Sequence, residues 1–222
     1  MNNIINLSFP VTGTELPADQ NYRLYAAICR KFPQLHGLEG LAIDTIAGVP
    51  DKQGKITLTS GSRLLMRLPV EAIAQVYPLA GQTLAIGDST IQLGNPELQT
   101  LPPVDSLKAR LVTIKGYTEP EPFLSAAQRQ LQALGIEANL GIRANEKGEP
   151  KRLTLTIHKK DRSYTIVGFS VVVSDLDAED SIQLQIKGLG GKRRMGCGVF
   201  SPAIPVRQHR GGASHAARRA TR

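Results

Sequence analysis

Gly188-Leu189-Gly190-Gly191-Lys192-Arg193-Arg194-Met195-Gly196-Cys197-Gly198-Val199-Phe200 holds five glycines and three consecutive cations. Glycine reaches positive φ without steric cost and lets one backbone approach another closely. Successive N–H groups in such a turn can form a concavity for an anion, and the adjacent cations deepen its positive potential. A phosphodiester backbone is the natural ligand, so Gly188, Gly190, Gly191, Gly196 and Gly198 together with Lys187, Lys192, Arg193 and Arg194 are the candidate residues for binding it. A nucleotide-binding P-loop is excluded, because Lys192 is followed by Arg193 instead of Ser or Thr and no helix is expected after it. A dinucleotide fingerprint fails too, since no strand-helix-strand unit follows the loop.

Working outward from this stretch, the chain reads as one outline used twice. Residues 4–11 alternate and predict a strand. Leu24, Ile28 and Phe32 recur at helical spacing over 21–32, with Asp19 as N-cap and Pro33 as stop. Strands are expected over 41–46, 55–59 and 63–68, a short helix over 70–77, and a hairpin of 83–86 with 90–93 around Gly87-Asp88. Residues 96–106 carry three prolines without periodicity and suit a linker. A strand over 107–114, a helix over 121–134 closed by Gly135, a strand over 136–144 and a hairpin of 152–158 with 163–173 come next. A helix over 175–186 with an acidic first turn, the glycine loop and a final strand over 198–204 complete the outline. Each half therefore reads β-α-β-β-α-β. The expected class is α+β: two tandem ferredoxin-like (RRM-like, βαββαβ) domains, 1–95 and 107–206, with a cleft between them and a basic disordered tail, 207–222.

Composition bounds the function. The 222 residues are 41% hydrophobic, enough for a globular core, and no apolar run approaches the roughly 20 residues that span a bilayer. With no secretory pattern at the N-terminus, a soluble cytoplasmic protein without membrane partners is expected. Cys29 and Cys197 lack metal-ligand spacing and read as free buried thiols, so neither a metal nor another cofactor is expected. The net charge is +8, and five of the 27 cations, all arginine, lie in the acid-free tail. The remaining 22 face 19 acids, and Lys187, Lys192, Arg193 and Arg194 more than account for that excess. Positive charge is thus expected at the loop and the tail, over a nearly neutral body.

Tandem halves with Gly-Leu-Gly-x-x-Arg-x-x-Gly-Cys-Gly before the last strand resemble the CRISPR-associated repeat-RNA endoribonucleases of the RAMP superfamily, over residues 1–206. The helix Asn21-Tyr22-Arg23-Leu24-Tyr25, the following Leu35-His36 and Ser62-Arg63-Leu64 fit as well. The resemblance implies metal-independent cleavage of CRISPR repeat RNA, often a stem-loop, by 2′-hydroxyl attack that leaves a 2′,3′-cyclic phosphate and a 5′-hydroxyl. It implies His36 as the proton-transfer group, Arg63 as the cation on the phosphate (Arg30 and Lys31 being alternatives), and Tyr22 as an orienting residue. His158 belongs to a hairpin, and His209 and His215 to the tail.

Close relatives often carry further histidines where this chain has Asp44 and Ala203. The alternative function is accordingly a non-catalytic RNA-binding subunit of a CRISPR effector complex, with other effector subunits as partners. An RRM-type binder is disfavoured, because no strand supplies the stacking aromatics and the chain has only five Phe and five Tyr.

Overall fold

The structure is a computed structural model that describes residues 3–51, 53–159 and 162–203. The tail with His209 and His215, the last part of the expected final strand, and Lys160 with Asp161 of the second hairpin turn lie outside the described residues.

The first half runs β1 (Ile4–Thr12), β2 (Glu15–Pro17), α1 (Asn21–Lys31), β3 (Ala42–Ile43), β4 (Val49–Pro50), β5 (Lys55–Thr57), β6 (Arg63–Pro69), α2 (Ile73–Val76), β7 (Thr83–Ile86), β8 (Ser89–Leu93) and β9 (Glu97–Gln99). β1 pairs antiparallel with β6 from Ile4↔Pro69 to Pro10↔Arg63, and β3 continues the sheet beyond β6. On its other edge β1 meets β9 along its first part and the β7–β8 hairpin at its end. Strands β2, β5 and β4 form a small separate sheet. The second half runs β10 (Leu107–Val112), α3 (Pro120–Ala133), β11 (Asn139–Ile142), β12 (Arg152–Lys159), β13 (Arg162–Ser174), α4 (Ala178–Lys187) and β14 (Ser201–Pro202). Its sheet order is β11-β13-β10-β14, with β12 paired to the first part of β13. In the first half β1 lies between β6 and the strands β8 and β9, and in the second β10 lies between β13 and β14, the neighbours that the ferredoxin-like order gives a first strand.

The apolar periodicities explain the two cores. Leu24 and Ile28 of α1 bury against Phe9, Leu64 and Met66 of the first sheet, while Phe123, Ala127 and Leu131 of α3 bury against Phe169 and Val171 of the second. The Phe123 and Phe169 rings stand 4.8 Å apart. Leu111, Leu155, Ile157 and Cys197 make a third cluster, on which Tyr22 of the first half packs. Among the described residues no helix is long and apolar enough to cross a membrane.

Several expectations need correction. Asp19 does not cap α1; its carboxylate instead accepts the Thr156 N–H of the other half at 2.9 Å. The helix expected over 175–186 begins at Ala178, with the Asp177 side chain accepting the Asp180 N–H, because Asp175 is left-handed at φ +62°. The segment expected as one helix over 70–77 is a mixed turn over 70–79: 3₁₀ at both ends around a four-residue α2, which Pro78, having no N–H, does not extend. Part of the expected linker is sheet, since Glu97–Gln99 pairs with Asn6–Ser8. The final strand shrinks to Ser201–Pro202, because Gly198 bends at φ +64° and gives its N–H to the Leu111 carbonyl.

Candidate nucleic-acid interface

The glycine loop follows α4 and folds tightly over the end of β10. A Cβ at Gly190 would stand 2.3 Å from the Thr113 oxygen, one at Gly188 2.2 Å from the Gly198 oxygen, and one at Gly198 1.9 Å from the Leu189 oxygen. Close backbone packing at positive φ is therefore why these positions are glycine. Six of the loop N–H groups are engaged by the same packing. Gly190 donates to Gln130 Oε1, Gly191 to Thr113 O, Gly198 to Leu111 O, and Met195, Gly196 and Cys197 to carbonyls of the loop itself. Much of the expected amide cradle is thus engaged in the fold, which puts weight on the loop's side chains as anion ligands.

Those side chains diverge. Lys192 is exposed and left-handed at φ 64°, ψ 35°, an uncommon conformation for a residue with a Cβ. Arg193 turns inward toward the Gln185 carbonyl, at 3.4 Å, and burial pushes its pKa down. Arg194 reaches across to the first half, where its Nη1 lies 3.6 Å from the place a Cβ on Gly37 would occupy. Lys187 is exposed in the last turn of α4, where a cation suits the helix dipole, and lies outside the two depressions that residues 190–192 line.

His36 is next to a residue that meets this loop. It caps the 3₁₀ turn Pro33–Leu35, is exposed, and directly precedes Gly37, which Arg194 approaches. A groove of about 560 Å³ runs between the walls, lined on one side by residues 37–41 and on the other by 190–194. Tyr25 backs the histidine, with ring centroids 6.0 Å apart. Burial pushes the Tyr25 hydroxyl pKa up and contact with Cys29 adds to the rise, while Arg194 and the Gly37 backbone oppose it.

Two expected partners are not brought there. Tyr22, one turn earlier on α1, packs into the seam between the halves. Arg63 opens β6, whose opposite end, Pro69, touches Gly40 of the histidine loop. At about 3.3 Å per strand residue these two ends are roughly 20 Å apart, and Arg63 Nη1 folds back onto the Ser60 and Ser62 carbonyls. The alternatives fare no better: Lys31 donates to the Thr83 carbonyl and Arg30 lies beside it on an exposed face. His158 pairs with Ser163 on the β12–β13 hairpin. Sequence reasoning missed Tyr25 in favour of Tyr22. Its signal was faint: both tyrosines lie on one helix and only the packed face separates them.

A polar frame fixes one wall against the other. Asn21 is 3% exposed; its Nδ2 donates to Met195 O at 2.7 Å and to Thr45 Oγ1, and its Oδ1 accepts from Arg110. Arg67 is 1% exposed and donates to Asn6, to the Gln185 carbonyl at 2.6 Å and to the Phe200 carbonyl at 2.9 Å. It thereby clamps both ends of the glycine loop to the first sheet. Burial pushes Arg67 down to about 10, against the pull of Asp44, so it stays charged at neutral pH. Asp44 accepts from Thr45 N–H and Ser201 Oγ, and burial pushes its carboxyl up.

Beside this frame a cleft of about 510 Å³ opens between the halves and gathers Lys108, Arg110, Arg143 and Lys151 around Asp44. The body therefore has a concentration of positive charge beyond the loop. Cys197 is buried and free, its thiol pushed up to about 11 by burial, and Cys29 is free and half-buried.

The chain is similar to known proteins along most of its length. A family profile described as Cas6 Crispr matches residues 5–204. A CRISPR-associated endonuclease Cas6 of Myxococcus xanthus (strain DK1622) is 37% identical over 208 residues, covering 92% of this chain and 85% of the relative. Among solved structures, a CRISPR associated protein Cas6 superposes with a TM-score of 0.58 at 13% identity, covering 90% of this chain and 99% of its own. A RAMP protein described as binding different RNA substrates gives the same TM-score at 12% identity, covering 90% and 100%. By the reach of the profile and the likeness of the bacterial relative, this chain belongs to the Cas6 family of CRISPR-associated proteins.

Proposed function

We propose that this protein is a cytoplasmic endoribonuclease that binds and cuts CRISPR repeat RNA without a metal ion. One observation carries the reading: Arg194 of the glycine loop meets Gly37, the residue next to His36, beside an open groove lined by residues 37–41 of the first half and 190–194 of the second. RNA laid in the groove presents a 2′-hydroxyl to His36 and the adjacent phosphate to Arg194 and Lys192. His36 takes the 2′-hydroxyl proton as its oxygen attacks phosphorus, the general-base role an imidazole can fill. Arg194 stabilises the charge that builds on the phosphorane oxygens. The P–O5′ bond then breaks, and the leaving 5′-oxygen takes up a proton that the imidazolium can return. The products are a 2′,3′-cyclic phosphate and a 5′-hydroxyl. The basic cleft between the halves offers a second track for the phosphates of the same strand.

The test is repeat RNA incubated in EDTA, beside the same RNA with a 2′-deoxyribose at the junction. Cutting in EDTA that the deoxy substitution abolishes supports the mechanism, and His36→Ala should then lose cleavage and keep binding. Tight binding by the wild type with no product assigns the chain instead to an RNA-holding role.

A further inference from the structure

The glycine loop has a second side. Away from the histidine groove, the same residues Gly190, Gly191 and Lys192 form one wall of another depression, about 770 Å³ in volume. This lies within the roughly 300–1,000 Å³ typical of small-ligand sites. Its far wall is the tight turn Ile114–Tyr117, which carries the exposed Lys115, and its remaining side is the stretch 165–167 of β13.

The lining is mixed in the way a nucleobase requires. Ile114, Ile166 and Val167 supply apolar surface for a ring face. Thr165 and Gln130 supply polar groups for a ring edge. The Gln130 oxygen is already engaged by the Gly190 N–H, which leaves its Nε2 as the donor. Two lysines, 115 and 192, supply positive charge for the flanking phosphates.

Lys192 connects the two depressions. It holds a left-handed backbone that glycine would adopt at lower cost, yet the position carries a cation shared by both rims. Lys192 can thus hold a phosphate from either side of the loop, including one next to a phosphate that Arg194 meets.

We infer that this depression is a nucleotide subsite, which holds unstacked one nucleotide adjacent to the cleavage junction by its base face and its phosphate. The inference rests on the proposed function and adds a specificity element to it. Holding that base out of the stack fixes the sugar-phosphate turn at the junction, which in-line attack by the 2′-hydroxyl requires.

The experiment has two arms. In the first, single-turnover cleavage of repeat RNA is compared with that of RNAs carrying one abasic residue at successive positions around the junction. The proteins compared are the wild type and Thr165→Phe, a change at an exposed strand position that fills the depression and suits a β-strand. For the wild type, one junction-adjacent abasic position should slow cutting about tenfold, the order expected for one lost base-stacking contact. Thr165→Phe should slow cutting of intact RNA by a similar factor and add nothing at that abasic position. Wild-type cutting by Thr165→Phe, or two losses that multiply, overturns the subsite.

The second arm does not depend on cleavage, so it separates failure of the subsite from failure of the proposed function. RNAs with 4-thiouridine at the same positions are irradiated on the wild type and on His36→Ala, and the cross-linked peptides are mapped. A cross-link from one junction-adjacent base to residues 113–118 or 165–167 supports the subsite even if no cleavage occurs. Cross-links confined to other segments, or none, overturn it.

Discussion

Replacing Gly190 by alanine puts a Cβ 2.3 Å from the Thr113 carbonyl oxygen and 3.1 Å from its carbon, at a backbone φ of +69°. The left-handed conformation alone costs about 1–2 kcal/mol with a side chain present. The neighbour is backbone, which cannot rotate away, and overpacking of this kind adds about 1–3 kcal/mol. The sum is roughly 3 kcal/mol, or a fall in Tm of about 6–12 °C for a chain of this size. Gly191 is the internal control. A Cβ there meets nothing within 4 Å and its φ is not left-handed, so Gly191→Ala should stay within about 0.5 kcal/mol of the wild type. Thermal unfolding of the two variants, with repeat-RNA affinity measured well below either Tm, reads both quantities. A Gly190→Ala protein with wild-type Tm and lost RNA affinity would refute the reasoning, because that glycine would then serve the ligand and not the fold.

Four further outcomes are expected. Arg194→Ala should lower the cleavage rate about 10²–10³-fold, as loss of a donor to a developing oxyanion does, whereas Arg63→Ala should leave it within about twofold; equal losses in the two variants would contradict the groove geometry. Lys192→Ala should reduce the slope of log affinity against log salt by about 0.7–0.9, one phosphate contact, and an unchanged slope removes Lys192 from the interface. Arg67→Met should destabilise the protein by about 3–5 kcal/mol in chemical denaturation, since it strands Asp44 and frees the Gln185 and Phe200 carbonyls inside the seam; a loss below about 1 kcal/mol would show that the clamp is dispensable. Burial raises the Asp44 carboxyl in the folded state, so the folded chain holds a proton that the unfolded chain has already released. That contribution is complete below about pH 4 and is lost as pH rises through the elevated folded value. Asp44→Asn should therefore flatten the decline in stability on raising pH, and a variant whose Tm falls as steeply as the wild type's contradicts the assignment.

The sequence by itself determined what depends on near neighbours along the chain. Alternation placed β10, and Leu24 with Ile28 placed the buried face of α1, because strand and helix periods repeat within a few residues. The glycine loop was legible as a tight turn beside cations, and its likeness to a family gave the two-lobed architecture. Tertiary structure alone decided which side chains meet. Asn21 finds Met195, Asp19 finds Thr156, and Arg67 finds Gln185, all more than 100 residues apart in sequence. Three adjacent cations separate into one exposed, one turned inward and one reaching Gly37 beside His36, a distinction set by the αL turn at Lys192 and the walls around it. Tyr25 took the place expected for Tyr22, and Arg63 was left at the far end of its strand. Four scattered cations of a nearly neutral body converged on one cleft, because charge counted along a chain carries no information about the surface on which it is gathered.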